Sequence, residues 1–185
     1  MSARLGDGLL IVLLSVAAAV VFGVLHDQVT ARVCVEYFTI GHPPLFHTDS
    51  PSLLAIGWGI VATWWAGLLV GVPAAVAAQV GSRPRVNARR LLRPIGVLLL
   101  AMAILAVFAG IAGYQLADRG IIRLNPTLAR RVPREKQTLF LADGAAHLAS
   151  YAGGFLGGAV LCCWIWRTRL RTPVENPGRG GEATG

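Results

Sequence analysis

The sequence predicts an all-α fold, a four-helix transmembrane bundle carrying a small extracytoplasmic cap. Three observations lead there. Of 185 residues, 55% are hydrophobic and only 14% charged, with a mean hydropathy of +0.60, whereas a soluble domain carries about 25% charged residues. Residues 53–78 and 95–117 contain no Asp, Glu, Lys or Arg, and each run exceeds the roughly 20 residues, at about 1.5 Å rise each, that cross a hydrocarbon core of about 30 Å. The arginines gather in short connections beside the apolar runs, where anionic lipid headgroups account for them.

Span one is expected over residues 9–25, after Arg4 and Asp7. Ala17, Ala18 and Ala19 resemble a signal-cleavage region, but apolar chain continues through Val20, Val21 and Phe22, which fits an uncleaved signal-anchor. Span two is expected over 53–78, bent near its inner end by Pro73, which removes one ladder bond. Span three covers 95–117. Span four, 139–166, is preceded by Pro133, a favourable first helical position. Together residues 1–171 form one polytopic membrane domain, and 172–185, rich in Pro and Gly, are expected to be a disordered cytoplasmic tail.

Short-loop cations set the orientation. Arg83, Arg85, Arg89, Arg90 and Arg93 lie between spans two and three, and Arg167, Arg169 and Arg171 follow span four. Both groups belong in the cytoplasm, which places both termini there and the chain in the cell (inner) membrane. Arg119, Arg123, Arg130, Arg131, Arg134 and Lys136 must then lie outside, against the trend. The preponderance of Arg over a single Lys suits a GC-rich bacterial genome.

Two outer loops, 27–51 and 118–138, form the cap. Residues 29–40 are dense in β-branched and aromatic types, and 120–124 is the other β-prone stretch. A short two-stranded β element is one reading; an extension of helix one followed by irregular chain is the other. Asn125 and Pro126 predict a short helix ending before Pro133. Cys34, expected outside, has three readings: buried and inert, cross-linked to a second protomer, or a metal ligand. Cys162 and Cys163 read as reduced packing residues.

All four histidines, His26, His42, His47 and His147, map to the outer side, as do Asp27, Glu36, Asp49 and Asp143. Asp143 and His147 share one helical face, which Ser150 and Tyr151 continue. Ionisable groups at membrane depth are expensive and mark functional sites by default. Imidazole with carboxylate suits a transition metal ion, Zn, Fe, Mn or Cu, so His26, Glu36, His42, Asp143 and His147 are the candidate ligands. Asp27, Ser150 and Tyr151 are candidate supporting residues around them. The bland reading places the same residues at the water interface and in solvated loops. A metal-free Asp143–His147 pair handling a proton is a further version. HExxH, CxxC, Walker and GxSxG patterns are absent from the sequence, which disfavours metalloprotease, nucleotide-binding and hydrolase chemistry.

Gly67 with Gly71, and Gly153 with Gly157 beside Gly154 with Gly158, form small-xxx-small pairs in spans two and four. They suit close packing within the bundle, or against other membrane subunits or a second copy. The lipid bilayer is the expected partner, and nucleic acid is excluded by the lack of any recognition signature. Trp64 and Trp65, mid-span, read as packing residues or as walls of a hydrophobic pocket. Tyr114 and Gln115 are placed near the polar outer region. Three function classes follow: first an accessory or assembly protein of a membrane complex, then a membrane-embedded metalloprotein or metalloenzyme, then a small transporter or channel.

Overall fold

The structure, a computed structural model, describes residues 2–171, so the tail expectation for 172–185 lies outside the described residues. It contains seven α-helices: α1 (Ser2–Val33), α2 (Val35–Thr39), α3 (Pro51–Val61), α4 (Trp64–Gln79), α5 (Leu92–Asp118), α6 (Pro126–Arg131) and α7 (Gln137–Arg171). Single 3-10 turns at Ala88–Leu91 and Arg134–Lys136 lead into α5 and α7. Four stretches are long and apolar enough to cross a membrane, Gly6–Val33, Pro51–Gln79, Ala88–Asp118 and Arg134–Arg171. Large apolar side chains such as Leu13, Val21, Leu100, Phe108, Leu148 and Leu156 are left on the surface, which in water would be untenable and in lipid is the ordinary solvent contact.

The bundle is two antiparallel hairpins. In the first, α1 packs along α3 and α4. Gly23 of α1 abuts Gly59 and Thr63, and Gly67 and Gly71 sit on Ser15, Val12 and Val16. In the second, α5 lies against α7, with Gly113 on Ala145, Leu105 on Gly153 and Leu98 on Gly157. Both glycine faces anticipated from the sequence are thus filled from within the chain. Without a hydrophobic driving force in lipid, close backbone approach is what holds such helices together. The hairpins join through α4 on α7, where Gly158 receives Val70, and more sparsely through α1 on α5.

At the end holding both helix termini, Ile11, Ala74, Leu91, Ile95, Leu161 and Ile165 form the main core. Arg169 closes it. The side chain is 1% exposed and donates from Nε to Pro84 O at 2.9 Å, from Nη1 to Ala77 O at 2.6 Å and from Nη2 to Arg83 O at 3.1 Å. A residue read from sequence as an interfacial cation therefore ties α7 to the end of α4 and its following loop. At the distal end Ala31, Phe38, Leu54, Ala55 and Trp58 form a second core, and Cys34, Val132 and Phe140 a third.

Three expectations need correction. The β element does not form: among the described residues there is no strand. Helix α1 runs past His26 and Asp27 to Val33, and the β-prone residues that follow make α2 after Cys34 adopts φ −150, ψ 93. This conformation buries Phe38 against α3 and satisfies the N–H groups of Cys34, Tyr37, Ile40 and Gly41 on carbonyls within five residues, which an unpartnered strand cannot do. At 120–124, Gly120 at φ +69 ends α5, its N–H bonded to Ala117 O and that of Ile121 to Leu116 O, each at 2.9 Å. Glycine tolerates this left-handed position, and the turn removes the second strand. Finally, span two is not one continuous helix: it is interrupted at Ala62–Thr63, while Pro73 lies inside α4. The Thr63 hydroxyl donates to Gly59 O, and the Tyr151 hydroxyl donates to the freed Ala62 O at 2.9 Å. A polar side chain from a neighbouring helix is what makes such a break tolerable at membrane depth.

A Cβ added at Gly59 would stand 2.5 Å from Val24 N and 2.6 Å from Val24 Cα, both backbone atoms. Gly59→Ala should therefore destabilise the α1–α3 contact by about 1–3 kcal/mol, read as a lower unfolding midpoint in detergent. Gly96→Ala, with nothing within 4 Å, is the matched control. Equal midpoints for the two variants would mean that the helices do not approach this closely.

Candidate functional site

The distal end brings the polar residues of three elements together. His26 and Asp27 come from α1, His147 from α7, and Tyr37 and His42 from α2 and the loop after it. His147 Nδ1 lies 2.8 Å from Asp143 O. A carbonyl only accepts, so Nδ1 carries the proton and donates. In the neutral ring Nε2 is then a lone pair, and it faces Asp27 Oδ1 at 3.2 Å. Two acceptors at that separation require a cation between them, a proton or a metal ion. One ligand atom each from His26, Asp27 and His147 lie within 4.8 Å of one another. His26 Nε2 is buried and without a hydrogen-bond partner, as is Asp143 Oδ2. The His26 and His147 rings meet edge to face, centroids 4.6 Å apart.

Placement of the other candidates differs from the sequence reading. Asp143 is buried, but it meets His147 through its backbone carbonyl; the carboxylate facing that imidazole belongs to Asp27. The reason is helical geometry: side chains lean toward the N-terminus, so a residue meets the carbonyl four positions earlier. Asp27, expected to support the ligands, is thus one of the converging groups. Glu36 lies apart, accepting from Cys34 Sγ at 3.4 Å and standing 4.0 Å from Lys136 Nζ. His42 lines the same cavity as the group without joining it. Its Nδ1 donates to Tyr37 O at 2.9 Å, and its ring packs on Trp58 with centroids 4.5 Å apart. Burial, first among the causes, holds the His42 imidazole below its ordinary pKa, so this ring stays neutral. Burial likewise pushes the Tyr37 phenol up, with the nearby carboxylates adding to it.

Ser150 Oγ donates to His147 O at 2.9 Å, and Tyr151 caps the break in span two. Trp65 stacks on Tyr151 at 6.1 Å, while Trp64 is exposed toward lipid. Tyr114 is also exposed and is not among the residues lining the cavity. Sequence inspection missed Tyr37 and Trp58 as walls of the site, and nothing in their local pattern announces them. The cluster opens on a cavity of about 140 Å³ between the hairpins, reaching from His26 and His42 to Ser15 on α1 and Leu161 on α7. No protein family matches the chain, and neither a curated protein nor a solved structure matches it.

Cys34 is fully buried, and burial, reinforced by its bond to Glu36, pushes its thiol up to about 12 from an ordinary 9.0. It is an inert packing residue rather than a nucleophile or ligand. Because its folded-state pKa is raised, the stabilisation it confers is complete below pH 9.0 and declines as pH climbs toward about 12. Alkylation of Cys34 in the native protein at mildly alkaline pH should accordingly run at least about 100-fold slower than in denaturant. Comparable rates in the two states would show that the thiol is accessible and ionised.

Proposed function

We propose that this chain is an integral membrane protein that binds a transition metal ion through His26, Asp27 and His147. The observation that carries the reading is the Nε2–Oδ1 approach of 3.2 Å between two acceptors, beside a third ligand atom within 4.8 Å. Ligands on one ion at about 2.1 Å stand about 3.0–3.5 Å apart, so the Asp27–His147 pair already has ligand spacing. Two imidazoles and one carboxylate suit Fe(II) or Zn(II) and leave coordination positions free. Anchoring Nδ1 of His147 on a backbone carbonyl fixes the tautomer that offers Nε2 to a metal. The accessory-protein reading draws less support, because the glycine faces that suggested it serve contacts inside the chain. Transport of a polar solute lacks a polar route through the apolar core at the terminal end.

The protein as purified without a histidine tag, then loaded with Fe(II), Zn(II), Mn(II) or Cu and desalted, should retain about one equivalent of one of these by elemental analysis. His147→Ala should abolish retention, Asp27→Asn should weaken it by about 10- to 100-fold, and Glu36→Gln should leave it intact. No retained metal in the wild type, or unchanged metal in His147→Ala, would sink the reading.

We further propose that both helix termini face the cytoplasm, with the site near the outer face of the inner membrane. Support comes from the arginines at 83–93 and 167–171, which lie at the same end of the bundle. A cysteine replacing Arg89 should be labelled by an impermeant maleimide only after the cells are opened. Labelling of intact cells would reverse the orientation.

A further inference from the structure

Besides Tyr37, which stands against His147 in the cluster itself, four hydroxyl side chains line the cavity below the histidines: Ser15, Thr63, Ser150 and Tyr151. Each of the four directs its proton to a backbone carbonyl. Ser15 donates to Ile11 O, Ser150 to His147 O and Tyr151 to Ala62 O, all at 2.9 Å, and Thr63 donates to Gly59 O. None is left as a free donor. The remaining wall along the bundle is alanine, glycine and apolar side chains, among them Val70, Leu98 and Met102. From His26 to Ser15 the lining follows α1 for about 16 Å at a rise of about 1.5 Å per residue. The shaft is therefore apolar along its length despite the hydroxyls in its walls.

Polarity returns at the distal end, where His26 Nε2 is buried without a partner. An apolar shaft ending at an unpartnered nitrogen matches a molecule with a polar head and an apolar chain. No Lys or Arg lines the cavity, so an anionic head buried here would give up its hydration without a cationic side chain to pair with. A neutral hydroxyl or carbonyl oxygen needs no such partner and can bond to the imidazole. The volume of about 140 Å³ is close to that of a cavity of about 150 Å³ known to admit benzene, so it holds a ring or about six carbons. A longer chain must extend beyond this volume.

We propose that this cavity binds a single-chain, lipid-soluble molecule with a neutral oxygen head, the head at His26 and the chain along the walls toward Ser15 and Val70. The proposal needs no metal ion and is tested on protein stripped with chelator as well as loaded, so failure of the metal reading would leave it standing or falling by itself.

The probe is decanol carrying a diazirine in mid-chain, added to the full-length protein in lipid nanodiscs, photolysed, and mapped by peptide mass spectrometry. Saturable cross-links to shaft residues such as Val70 and Met102, displaced by plain decanol, are expected with and without metal. Ala18→Leu and Gly154→Leu fill the shaft from opposite walls. A side chain at Gly154 meets only the flexible end of Met102, at 3.2 Å. Each variant should lower labelling by about tenfold while keeping its helix content and elution volume. In the chelator-stripped protein the same chain ending in a carboxylate should label the shaft about tenfold less at neutral pH. Cross-links confined to lipid-facing positions such as Ile104 and Leu156, or shaft labelling undiminished in both filled variants, would overturn the site. Equal labelling by the carboxylate probe would overturn the neutral head.

Discussion

Inside a bilayer a polar group has no water to fall back on, and nearly every such group in this chain is answered from within. Backbone carbonyls take the protons of Ser15, Thr63, Ser150 and Tyr151. Three more carbonyls take the guanidinium of Arg169. One holds the imidazole of His147. Against that background the few unanswered groups carry information. Among the described residues the buried side-chain atoms without a partner are His26 Nε2, Asp143 Oδ2 and Gln79 Oε1, and the first lies in the converging set at the distal end. Leaving a buried polar atom unpaired costs about 1–3 kcal/mol; the terminal end bears that cost at the single atom Gln79 Oε1, whereas the distal end bears it at two, His26 Nε2 and Asp143 Oδ2.

The same constraint shapes the backbone. A helix broken at membrane depth exposes a carbonyl, and Tyr151 supplies the proton that makes the break between α3 and α4 stable. The break comes where Gly59 lets α1 approach closely and Thr63 turns its hydroxyl back on the helix. Glycine contacts then draw each hairpin tight along its own seam, α1 on α4 and α5 on α7, whereas the seam between hairpins is sparser. The cavity occupies that sparser seam. Its position thus follows from where the small residues were placed: they favour the intrahairpin contacts and leave side chains of intermediate size to meet across the middle.

Much of this was legible in the sequence. Uncharged runs at 53–78 and 95–117 coincide with two of the four stretches that are long and apolar enough to cross a membrane. The placement of every histidine on one side anticipated the end of the bundle where His26, His42 and His147 line one cavity. What periodicity could not supply was partnership across elements. Asp143 and His147 looked like a side-chain pair because they share a helical face, yet the carboxylate that meets His147 comes from Asp27, on α1. Nothing local to Asp27 distinguishes it from an interfacial residue at a helix end. The β-like composition of 29–40 misled for a related reason: β propensity describes fit to a pleated neighbour, and no neighbouring strand exists among the described residues to receive it. The loop arginines likewise concealed that Arg169 has a structural task.

The choice between a proton and a metal ion at the Asp27–His147 approach turns on how many unmet demands each would answer. One proton completes a single hydrogen bond across 3.2 Å and leaves His26 Nε2 and Asp143 Oδ2 as they are. A divalent cation accepts Nε2 of His147, the Asp27 carboxylate and a nitrogen of His26 together, since their ligand atoms already lie within 4.8 Å. Its charge would also lie beside two buried carboxyl groups, Asp27 and Asp143. Buried charge is tolerated when it is paired or bound to metal. With an ion held there, the apolar walls beneath would keep bulk water from it, and a molecule reaching it along the cavity would have to be soluble in lipid.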